Sequence, residues 1–357
     1  MIIAGGGTGG HVFPALAIAE ELLGRNDANE VLFIGTNRGL EARVLPEVGY
    51  PFRTIDVAGI TGKGLWGKIT GATKIPRSMV QSGSIIKHYR PDMVLGVGGY
   101  ASGPAVITAW ILGIPTAVAE QNALPGRTNR ILGRFVKKVF VSFEDKEKYF
   151  PADKVLYTGN PVRGEFGKSG VKQSEEGKGD FTILVFGGSQ GASRINQVLV
   201  ESLSYLSDVK ERLRIIHQTG DREYEKIAAT YRDKGWIAEV HPFIGDMTMA
   251  YGRANLLVCR AGATTIAEIT ASGKAAIFIP YPHAAGDHQT CNARMMVDAG
   301  AAEMIAERDL SGESLAASIK CCINDQKKIT QMEKASKALG KPDAARIIVD
   351  ECIALAG

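Results

Sequence analysis

A glycine-rich stretch near the N-terminus ends in a histidine, and these residue types together can bring backbone N–H groups and a base to a ligand. The stretch has the sequence GGGTGGH at residues 5–11, between a predicted strand and a helix predicted to begin near Pro14. Glycines let the backbone approach a ligand, and a helix start supplies N–H donors and a positive dipole. Near neutral pH a histidine nitrogen can take a proton from a hydroxyl. His11 is therefore a candidate general base, and a helix-capping or merely packed histidine is the alternative.

The same stretch matches the G-x-G-x-x-G pattern of dinucleotide-binding proteins through Gly5, Gly7 and Gly10. That fingerprint also requires an acidic residue about 20 residues further on, at the end of the second strand, to bind the ribose. Here the second predicted strand ends in IGT at residues 34–36, without an acid. An NAD-dependent oxidoreductase is therefore the less favoured class of function.

Two further glycine-containing turns follow predicted strands in the second half of the chain. The first, GGSQGA at residues 187–192, can hold a diphosphate with its N–H groups and the Ser189 hydroxyl. It lacks the G-K-[ST] ending of a P-loop, which disfavours ATP hydrolysis of that type. The second, RAGATT at residues 260–265, precedes a helix that carries Glu268 in its first turn. A carboxylate there either compensates the helix dipole or accepts hydrogen bonds from ribose hydroxyls, and the residues leave both interpretations open.

Short apolar runs alternate with helix-period stretches, which is typical of parallel sheets covered by helices on both faces. The predicted strands are residues 2–5, 31–34, 52–57, 93–97, 116–119, 138–142 and 155–158, then 182–186, 214–218, 237–241, 256–259, 275–279 and 302–306. A Gly-, Lys- and Glu-rich stretch at residues 164–180 is typical of a linker. Pro342 is placed where a final helix over residues 344–356 can start. The sequence predicts an α/β protein of two doubly wound, Rossmann-like domains that face a cleft, residues 1–163 and 164–341, and a last helix at residues 342–357.

Composition excludes several classes of protein. The chain has 357 residues, which favours two domains, and its 42 Lys and Arg against 38 Asp and Glu are too balanced for a nucleic-acid binder. The 5 cysteines contain no C-x-x-C pair, so neither a disulfide framework nor a metal site is expected. Residues 93–119 carry no charge, but their glycines and prolines favour a strand, turn, helix and strand in a soluble core over a membrane span. No signal peptide is recognised, and a reducing cytoplasm is expected.

Basic charge is concentrated in the first half, where residues 1–163 hold 19 basic and 13 acidic side chains. Residues 57–91 contain six Lys or Arg and no acid, with apolar residues between them. Such a segment either rests on an anionic lipid surface or forms the solvated face of a core helix. The residues predicted to face a membrane are Lys63, Leu65, Trp66, Lys68, Ile75, Arg77 and Met79.

Seven motifs resemble those of the MurG family of UDP-N-acetylglucosamine transferases in order and spacing, from Ile2 to the last helix. They are GGGTGGHVFPALAIAEEL, GVGGYASGPAV, AEQNALPGRTN, GNPVR, GGSQGASRIN, FIGDM and RAGATTIAEI. The resemblance implies the glycosyltransferase B fold, with the last helix packed on an N-terminal acceptor domain and a C-terminal UDP-sugar domain. It implies inverting transfer of N-acetylglucosamine from UDP-N-acetylglucosamine to the 4-hydroxyl of undecaprenyl-diphosphate-linked N-acetylmuramoyl-pentapeptide, which converts lipid I into lipid II in peptidoglycan synthesis. No cofactor is expected.

The resemblance also implies a location and a set of partners. A family member is expected to lie peripherally on the cytoplasmic face of the bacterial membrane. Its expected partners are UDP-N-acetylglucosamine, lipid I, an anionic membrane surface and other proteins of cell-wall synthesis or division. The family supports the membrane-docking interpretation of the basic, acid-free segment.

By resemblance, the first glycine turn lies at the donor sugar and the acceptor diphosphate, through Thr8, Gly9 and Gly10. His11 becomes the expected catalytic base. Asn122 is expected to bond the N-acetylglucosamine hydroxyls, with Glu120 in the same EQN stretch as a secondary candidate.

The remaining residues that the resemblance implies bind the nucleotide sugar. Two of them, Arg163 and Ser189, are expected to hold the UDP phosphates and to stabilise the leaving group. Ile244 presents backbone groups to uracil, and Glu268 takes the ribose. The sugar pocket is lined by Ala263 and Thr264.

One loop departs from the family pattern, in which two adjacent glutamines contact the sugar. Here the loop is PHAAGDHQ at residues 282–289, one residue longer, with His288 in place of the first glutamine. Gln289 keeps the second position, which leaves recognition of the sugar to one amide and a histidine. The alternatives are a lipid galactosyltransferase or a nucleotide-sugar epimerase of the same fold, and a non-catalytic nucleotide-binding scaffold at the membrane.

Overall fold

The computed structural model describes residues 1–57, 65–162, 166, 180–188 and 191–357, with side chains of the helix at Leu65 described from residue 74 onward. The chain divides into two compact units. The first comprises Met1–Gly164 and Lys341–Gly357, and the second comprises Glu165–Gly340.

The first unit contains a parallel sheet of seven strands in the order β3-β2-β1-β4-β5-β6-β7. Its strands are β1 (Ile2–Ala4), β2 (Leu32–Gly35), β3 (Phe52–Thr54), β4 (Val94–Gly96), β5 (Thr116–Glu120), β6 (Lys138–Val141) and β7 (Val155–Tyr157). Its helices are α1 (Gly9–Leu23), α2 (Glu41–Val48), α3 (Leu65–Tyr89), α4 (Ser102–Ile111), α5 (Arg127–Leu132) and the last helix (Ala344–Ala356).

The second unit contains a parallel sheet of six strands in the order β10-β9-β8-β11-β12-β13. Its strands are β8 (Phe181–Phe186), β9 (Leu213–Gln218), β10 (Ala238–His241), β11 (Leu256–Cys259), β12 (Ala275–Phe278) and β13 (Ala302–Met304). Its helices are α6 (Ser193–Ser202), α7 (Tyr224–Asp233), α8 (Met247–Arg253), α9 (Ala263–Ser272), α10 (His288–Asp298), α11 (Gly312–Asn324) and α12 (Gln326–Leu339), with short 3₁₀ helices at Ser207–Arg212, Ala285–Asp287 and Glu307–Asp309.

The strands form because their apolar side chains are covered on both faces of each sheet. In the first unit, Ile3 and Leu95 belong to the core cluster under α1, whereas Ile2 and Val94 belong to the cluster on the opposite face. The last helix contributes Ile348 to the first of these clusters, so it packs on the first unit. The doubly wound α/β prediction is confirmed.

The predicted strands are all present, and their ends differ from the prediction by at most three residues. The uncharged residues 93–119 form β4, α4 and β5, as predicted. One helix start was predicted wrongly, because α1 begins at Gly9 and contains Pro14. The first N–H groups of a helix have no acceptor within the helix, and in α1 no side-chain cap at Thr8 marks where the helix begins. Among the described residues, no helix combines the length and apolar character needed to cross a bilayer.

Candidate active site

The first glycine turn joins β1 to α1 and packs against the turn after β4, its neighbour in the sheet. Gly6 donates its N–H to the Gly98 carbonyl at 3.2 Å. Gly7 has a φ of +98°, a conformation that residues with a side chain rarely adopt. Glycine at position 7 is therefore required by the shape of this turn, whether or not a ligand binds there.

His11 lies in the first turn of α1, with its ring held against the glycine turn. Its Nδ1 is 3.1 Å from the Gly6 carbonyl oxygen and 3.4 Å from the Thr8 hydroxyl. A carbonyl oxygen can only accept a hydrogen bond, so Nδ1 carries the proton in the neutral ring. Nε2 is then the basic nitrogen, and it lies on the side of Gly98, where an added Cβ would come within 2.8 Å of it. The geometry leaves Nε2 as the ring atom suited to take a proton.

Glu41, a residue that was not identified from the sequence, binds the first glycine turn through its carboxylate. Its side chain is buried, and its carboxylate accepts hydrogen bonds from the Gly7 N–H at 2.7 Å, the Thr36 N–H at 3.0 Å and the Thr36 hydroxyl at 2.9 Å. No Lys, Arg or His in the described part of the chain forms an ion pair with it. It begins α2, so the helix dipole offsets part of its charge.

The position of Glu41 bears on the NAD alternative. Gly6 and Gly39 have no room for a Cβ because the Glu41 carboxylate lies against both. The Gly7 N–H, which in a dinucleotide-binding turn would be available to a phosphate, is donated to this carboxylate instead. A resident anion at the turn opposes the binding of a second anion at the same donor.

Glu120 and Asn122 belong to a loop that begins at the end of β5. The buried Glu120 carboxylate accepts from the Asn122 N–H at 3.0 Å, the Gly126 N–H at 3.0 Å and the Asn129 side-chain amide at 2.9 Å. These bonds fix the backbone of the loop around Asn122. Glu120 therefore serves as a structural acceptor that positions Asn122.

The second glycine turn lies between β8 and α6 in the second unit. Gly188 has a φ of +97°, and its carbonyl accepts from the Gly191 N–H at 3.0 Å. The same carbonyl accepts from the side-chain amide of Gln218 at 2.9 Å, and the Gln218 oxygen accepts from the Ile244 N–H at 2.8 Å. Ile244, expected to present backbone groups to uracil, has its N–H engaged in this way. Gln218 was not found from the sequence.

A buried polar network lies behind the second turn. His217 is between the Tyr231 hydroxyl, 3.0 Å from Nδ1, and the Asn196 oxygen, 3.0 Å from Nε2. Burial lowers the pKa of His217 to about 3. The ring is therefore neutral, with Nε2–H donating to Asn196 and Nδ1 accepting from Tyr231. Asn196 in turn donates to the Thr219 carbonyl at 2.9 Å, which joins α6 to the end of β9.

The third turn precedes α9, whose N-cap is Gly262. Glu268 was predicted in the first turn of this helix, and that is wrong, because it is the sixth residue of Ala263–Ser272. Its carboxylate accepts from the Tyr251 hydroxyl at 3.2 Å, and burial raises the pKa of Tyr251, which keeps that hydroxyl protonated. Helix-dipole compensation is weak this far from the end, which favours the ligand-binding interpretation of Glu268.

Ala263 and Thr264 begin α9. Ala263 is buried, and the buried Thr264 hydroxyl oxygen has no hydrogen-bond partner within residues 1–57, 65–162, 180–188 and 191–357. Nearly all buried polar atoms in proteins have a hydrogen-bond partner, so this hydroxyl is a candidate to bond a ligand in the expected sugar pocket. The buried Asn292 of α10 donates to the Ala261 carbonyl at 3.2 Å and braces the turn.

The loop at residues 282–289 leads into α10, which begins at His288. Within this loop, Gly286 and Asp287 have positive φ angles. Gln289 accepts from the Tyr281 N–H at 2.9 Å through its side-chain oxygen, which orients its NH₂ group as the donor. An amide held this way offers hydrogen-bond donors to a sugar oxygen.

The described structure brings the predicted site residues together in two groups. In the first unit, Thr8, Gly9, Gly10 and His11 form one turn after β1, and Asn122 follows β5, which is separated from β1 by β4 in the sheet. The second unit holds the other group at the carboxyl ends of its parallel strands: Ile244, Ala263, Thr264, Glu268, His288 and Gln289. Arg163, Ser189 and Lys63 lie outside the described residues, as do the side chains of Leu65, Trp66 and Lys68. No cluster of His, Cys, Asp or Glu suited to a metal ion occurs in the described part of the chain.

Two family models match the chain: the glycosyltransferase family 28 N-terminal domain over residues 1–141 and the glycosyltransferase family 28 C-terminal domain over residues 182–348. A curated relative from Syntrophus aciditrophicus is 53% identical over 355 residues, covering 99% of this chain and 98% of its own. It is named UDP-N-acetylglucosamine--N-acetylmuramyl-(pentapeptide) pyrophosphoryl-undecaprenol N-acetylglucosamine transferase. The crystal structure of Acinetobacter baumannii MurG superimposes with a TM-score of 0.82 and 34% identity over 99% of both chains.

The chain belongs to the MurG family. It is thus a glycosyltransferase of family 28, and the resemblance of the seven motifs is confirmed. A UDP-GlcNAc 2-epimerase from Neisseria meningitidis has a TM-score of 0.67 at 14% identity, which shows a shared fold alone. Relatives in the MurG family, rather than epimerases, match this chain at high identity along its whole length.

Proposed function

We propose that this chain transfers N-acetylglucosamine from UDP-N-acetylglucosamine to the 4-hydroxyl of undecaprenyl-diphosphate-linked N-acetylmuramoyl-pentapeptide in peptidoglycan synthesis. The observation that carries the proposal is the match to a transferase of that name at 53% identity over 99% of the chain. The position of His11 supports it, because its basic nitrogen is oriented by the turn that the family places at the acceptor.

In the proposed reaction, His11 Nε2 takes the proton of the acceptor 4-hydroxyl as its oxygen attacks the anomeric carbon of the donor. The bond from that oxygen to the anomeric carbon forms while the bond to the UDP phosphate oxygen breaks. UDP leaves with the electron pair, and the anomeric configuration inverts. The Nδ1–H bond to the Gly6 carbonyl at 3.1 Å holds the ring in the required tautomer and stabilises the imidazolium that forms.

The donor is assigned to the second unit. Glu268 binds the ribose hydroxyls, since a carboxylate accepts from two vicinal hydroxyls. The carbonyl of Ile244 contacts uracil, because its N–H is donated to Gln218. Ala263, Thr264 and Gln289 line the sugar pocket, with Ser189 and Arg163 assigned to the phosphates. His288 is a secondary contact to the sugar.

The acceptor is assigned to the first unit, with Thr8, Gly9 and Gly10 at its diphosphate. Asn122, held by Glu120, is assigned to the donor sugar hydroxyls. The Gly7 N–H is not part of the diphosphate site, because it is bonded to Glu41 at 2.7 Å.

The first unit is also proposed to dock on the cytoplasmic face of the membrane. α3, α4 and α5 cover one face of its sheet, and their outer surface carries exposed apolar side chains, including Val80 at 75%, Ile111 at 59% and Ile131 at 60% exposure. Ile75 and Arg77 of the basic segment are exposed as well, while Met79 is half-buried. Lys74 pairs with Asp56 at 2.8 Å, which lowers the pKa of that carboxyl and neutralises one of the cations.

A donor panel tests the proposed activity. With a short-chain lipid-linked acceptor, the purified chain is expected to use UDP-N-acetylglucosamine far better than UDP-galactose. Equal turnover of the two donors refutes the substrate assignment. Interconversion of UDP-N-acetylglucosamine and its 2-epimer without an acceptor identifies an epimerase instead.

Vesicle sedimentation tests the membrane proposal. Replacing Val80 and Ile111 together by serine is expected to reduce binding to phosphatidylglycerol-containing vesicles, because apolar insertion contributes to the affinity. Ile237→Ser is the matched control, since Ile237 is 56% exposed but lies in the second unit. If the control weakens binding as much as the double variant, the docking surface is not the one proposed.

A further inference from the structure

We infer that Gln218 is a positioning residue that sets the separation between the phosphate-binding and base-binding turns of the nucleotide site. The inference rests on the proposed function, which assigns these two turns to UDP. Gln218 is not itself placed in contact with the ligand.

The side chain of Gln218 joins the two turns through one hydrogen bond each. Its NH₂ group donates to the Gly188 carbonyl at 2.9 Å, and its oxygen accepts from the Ile244 N–H at 2.8 Å. Both partners are backbone groups of turns that follow different strands, β8 and β10. Gln218 ends β9, the strand between them, and only 3% of the residue is exposed.

Independent contacts fix the backbone beside Gln218, and they therefore fix the position from which its side chain extends. The Thr219 N–H donates to the His241 carbonyl at 3.0 Å, and the Gly220 N–H donates to the Pro242 carbonyl at 3.1 Å. On the other side, Gly191 lies so close to the Thr219 carbonyl that a Cβ would overlap it. The end of β9 is therefore held between the second glycine turn and the end of β10.

Only an amide satisfies both partners. A glutamate at position 218 keeps an acceptor for the Ile244 N–H but places its second oxygen against the Gly188 carbonyl, where two acceptors repel. A methionine has a similar shape and makes neither bond. A nucleoside diphosphate must bind both turns at once, whereas a nucleoside binds the base-binding turn alone. Loss of the two hydrogen bonds of Gln218 should therefore weaken the binding of UDP more than the binding of uridine.

The test compares dissociation constants of UDP and uridine for the full chain and its variants by calorimetry, with uridine measured by displacement. Gln218→Met and Gln218→Glu are expected to raise the dissociation constant of UDP by about 10- to 100-fold, which corresponds to about 1.4 to 2.8 kcal/mol of binding free energy. The dissociation constant of uridine should rise by less than about threefold, so the ratio of the two constants changes. The KM for the lipid-linked acceptor should stay constant. Gln197→Glu, on the exposed face of α6, is the control.

The outcomes separate the possible failures. Equal weakening of UDP and uridine, together with a lower melting temperature, shows a role in folding only and overturns the inference. Wild-type affinity of both variants for UDP overturns it as well. If the wild-type chain binds UDP but transfers no N-acetylglucosamine, the proposed function fails while the binding comparison still decides the role of Gln218.

Discussion

Replacement of Glu41 by glutamine perturbs the first glycine turn with almost no change in shape. The carboxylate accepts three hydrogen bonds, one from Gly7 and two from Thr36. In Glu41→Gln one carboxylate oxygen becomes an NH₂ group. In either orientation of the amide, this NH₂ group faces an N–H donor, that of Gly7 or that of Thr36. The bond to the turn or the bond to Thr36 is therefore lost.

The size of the effect follows from these contacts. A hydrogen bond to a charged group contributes about 1.5 to 3 kcal/mol, against about 0.5 to 1.5 kcal/mol for a neutral pair. Losing one charged bond and converting two others to neutral ones costs about 3.5 to 6 kcal/mol of unfolding free energy. That is a large part of the typical stability of a domain, about 5 to 15 kcal/mol.

The assay combines urea unfolding, followed by hydrogen exchange in peptides from each unit, with transfer kinetics. Destabilisation should appear in the first unit only. kcat should fall because the turn also orients His11 through Gly6, while the affinity for UDP stays unchanged. Thr36→Val should lower stability with little effect on kcat, because it keeps the Gly7 bond.

Glu47→Gln, an exposed substitution on the same helix, serves as the control. The reasoning is refuted if Glu41→Gln matches Glu47→Gln in stability within about 0.5 kcal/mol, the usual range for surface changes. A loss of UDP affinity equal to the loss of kcat would also contradict it, since that result means that the effect is not confined to the turn.

Three further predictions address the base, a buried histidine and a helix cap. His11→Gln should lower kcat by about 10²- to 10⁴-fold, the usual contribution of a general base, with calorimetric UDP affinity retained; unchanged turnover removes His11 from this role. The pKa of His217 is lowered from 6.5 to about 3, so the unfolded chain is protonated first on acidification. Stability should therefore fall by about 2 kcal/mol from pH 6.5 to pH 5 in urea titrations, a dependence that His217→Gln should reduce; an equal slope in both proteins contradicts the assignment. Asp246 caps α8 by accepting from the Met249 N–H at 2.9 Å, so Asp246→Ala should cost about 1 kcal/mol in the same titrations, and no loss would show that the cap is dispensable.

The sequence allowed the strands to be predicted because their apolar runs are short, buried on both faces and bounded by glycine turns. The start of α1 was misplaced since Gly9 and Gly10 are poor helix formers, and here the turn rather than propensity sets the helix start. Glu268 was placed one helical turn too near the N-terminus because the N-cap of α9, Gly262, has no side chain to mark where the helix begins.

The residues that support the site could not be found in the same way. Glu41 bonds to Gly7, 34 positions away, and Gln218 bonds to Gly188 and Ile244, 30 and 26 positions away. Nothing in the local sequence distinguishes Glu41 from an ordinary acidic residue at a helix start. Their partners are backbone groups of any residue type, so motif spacing carries no signal of the contact, and only the register of the parallel sheets brings them together.

The most direct measurement is structural analysis of the product that the purified chain forms from UDP-N-acetylglucosamine and lipid-linked N-acetylmuramoyl-pentapeptide. Mass spectrometry should show the addition of one N-acetylhexosamine, and NMR should place it on the 4-oxygen of the muramoyl residue with inverted anomeric configuration. Retained configuration contradicts the single displacement at His11. Release of free sugar and UDP without a disaccharide product contradicts the proposed transfer itself.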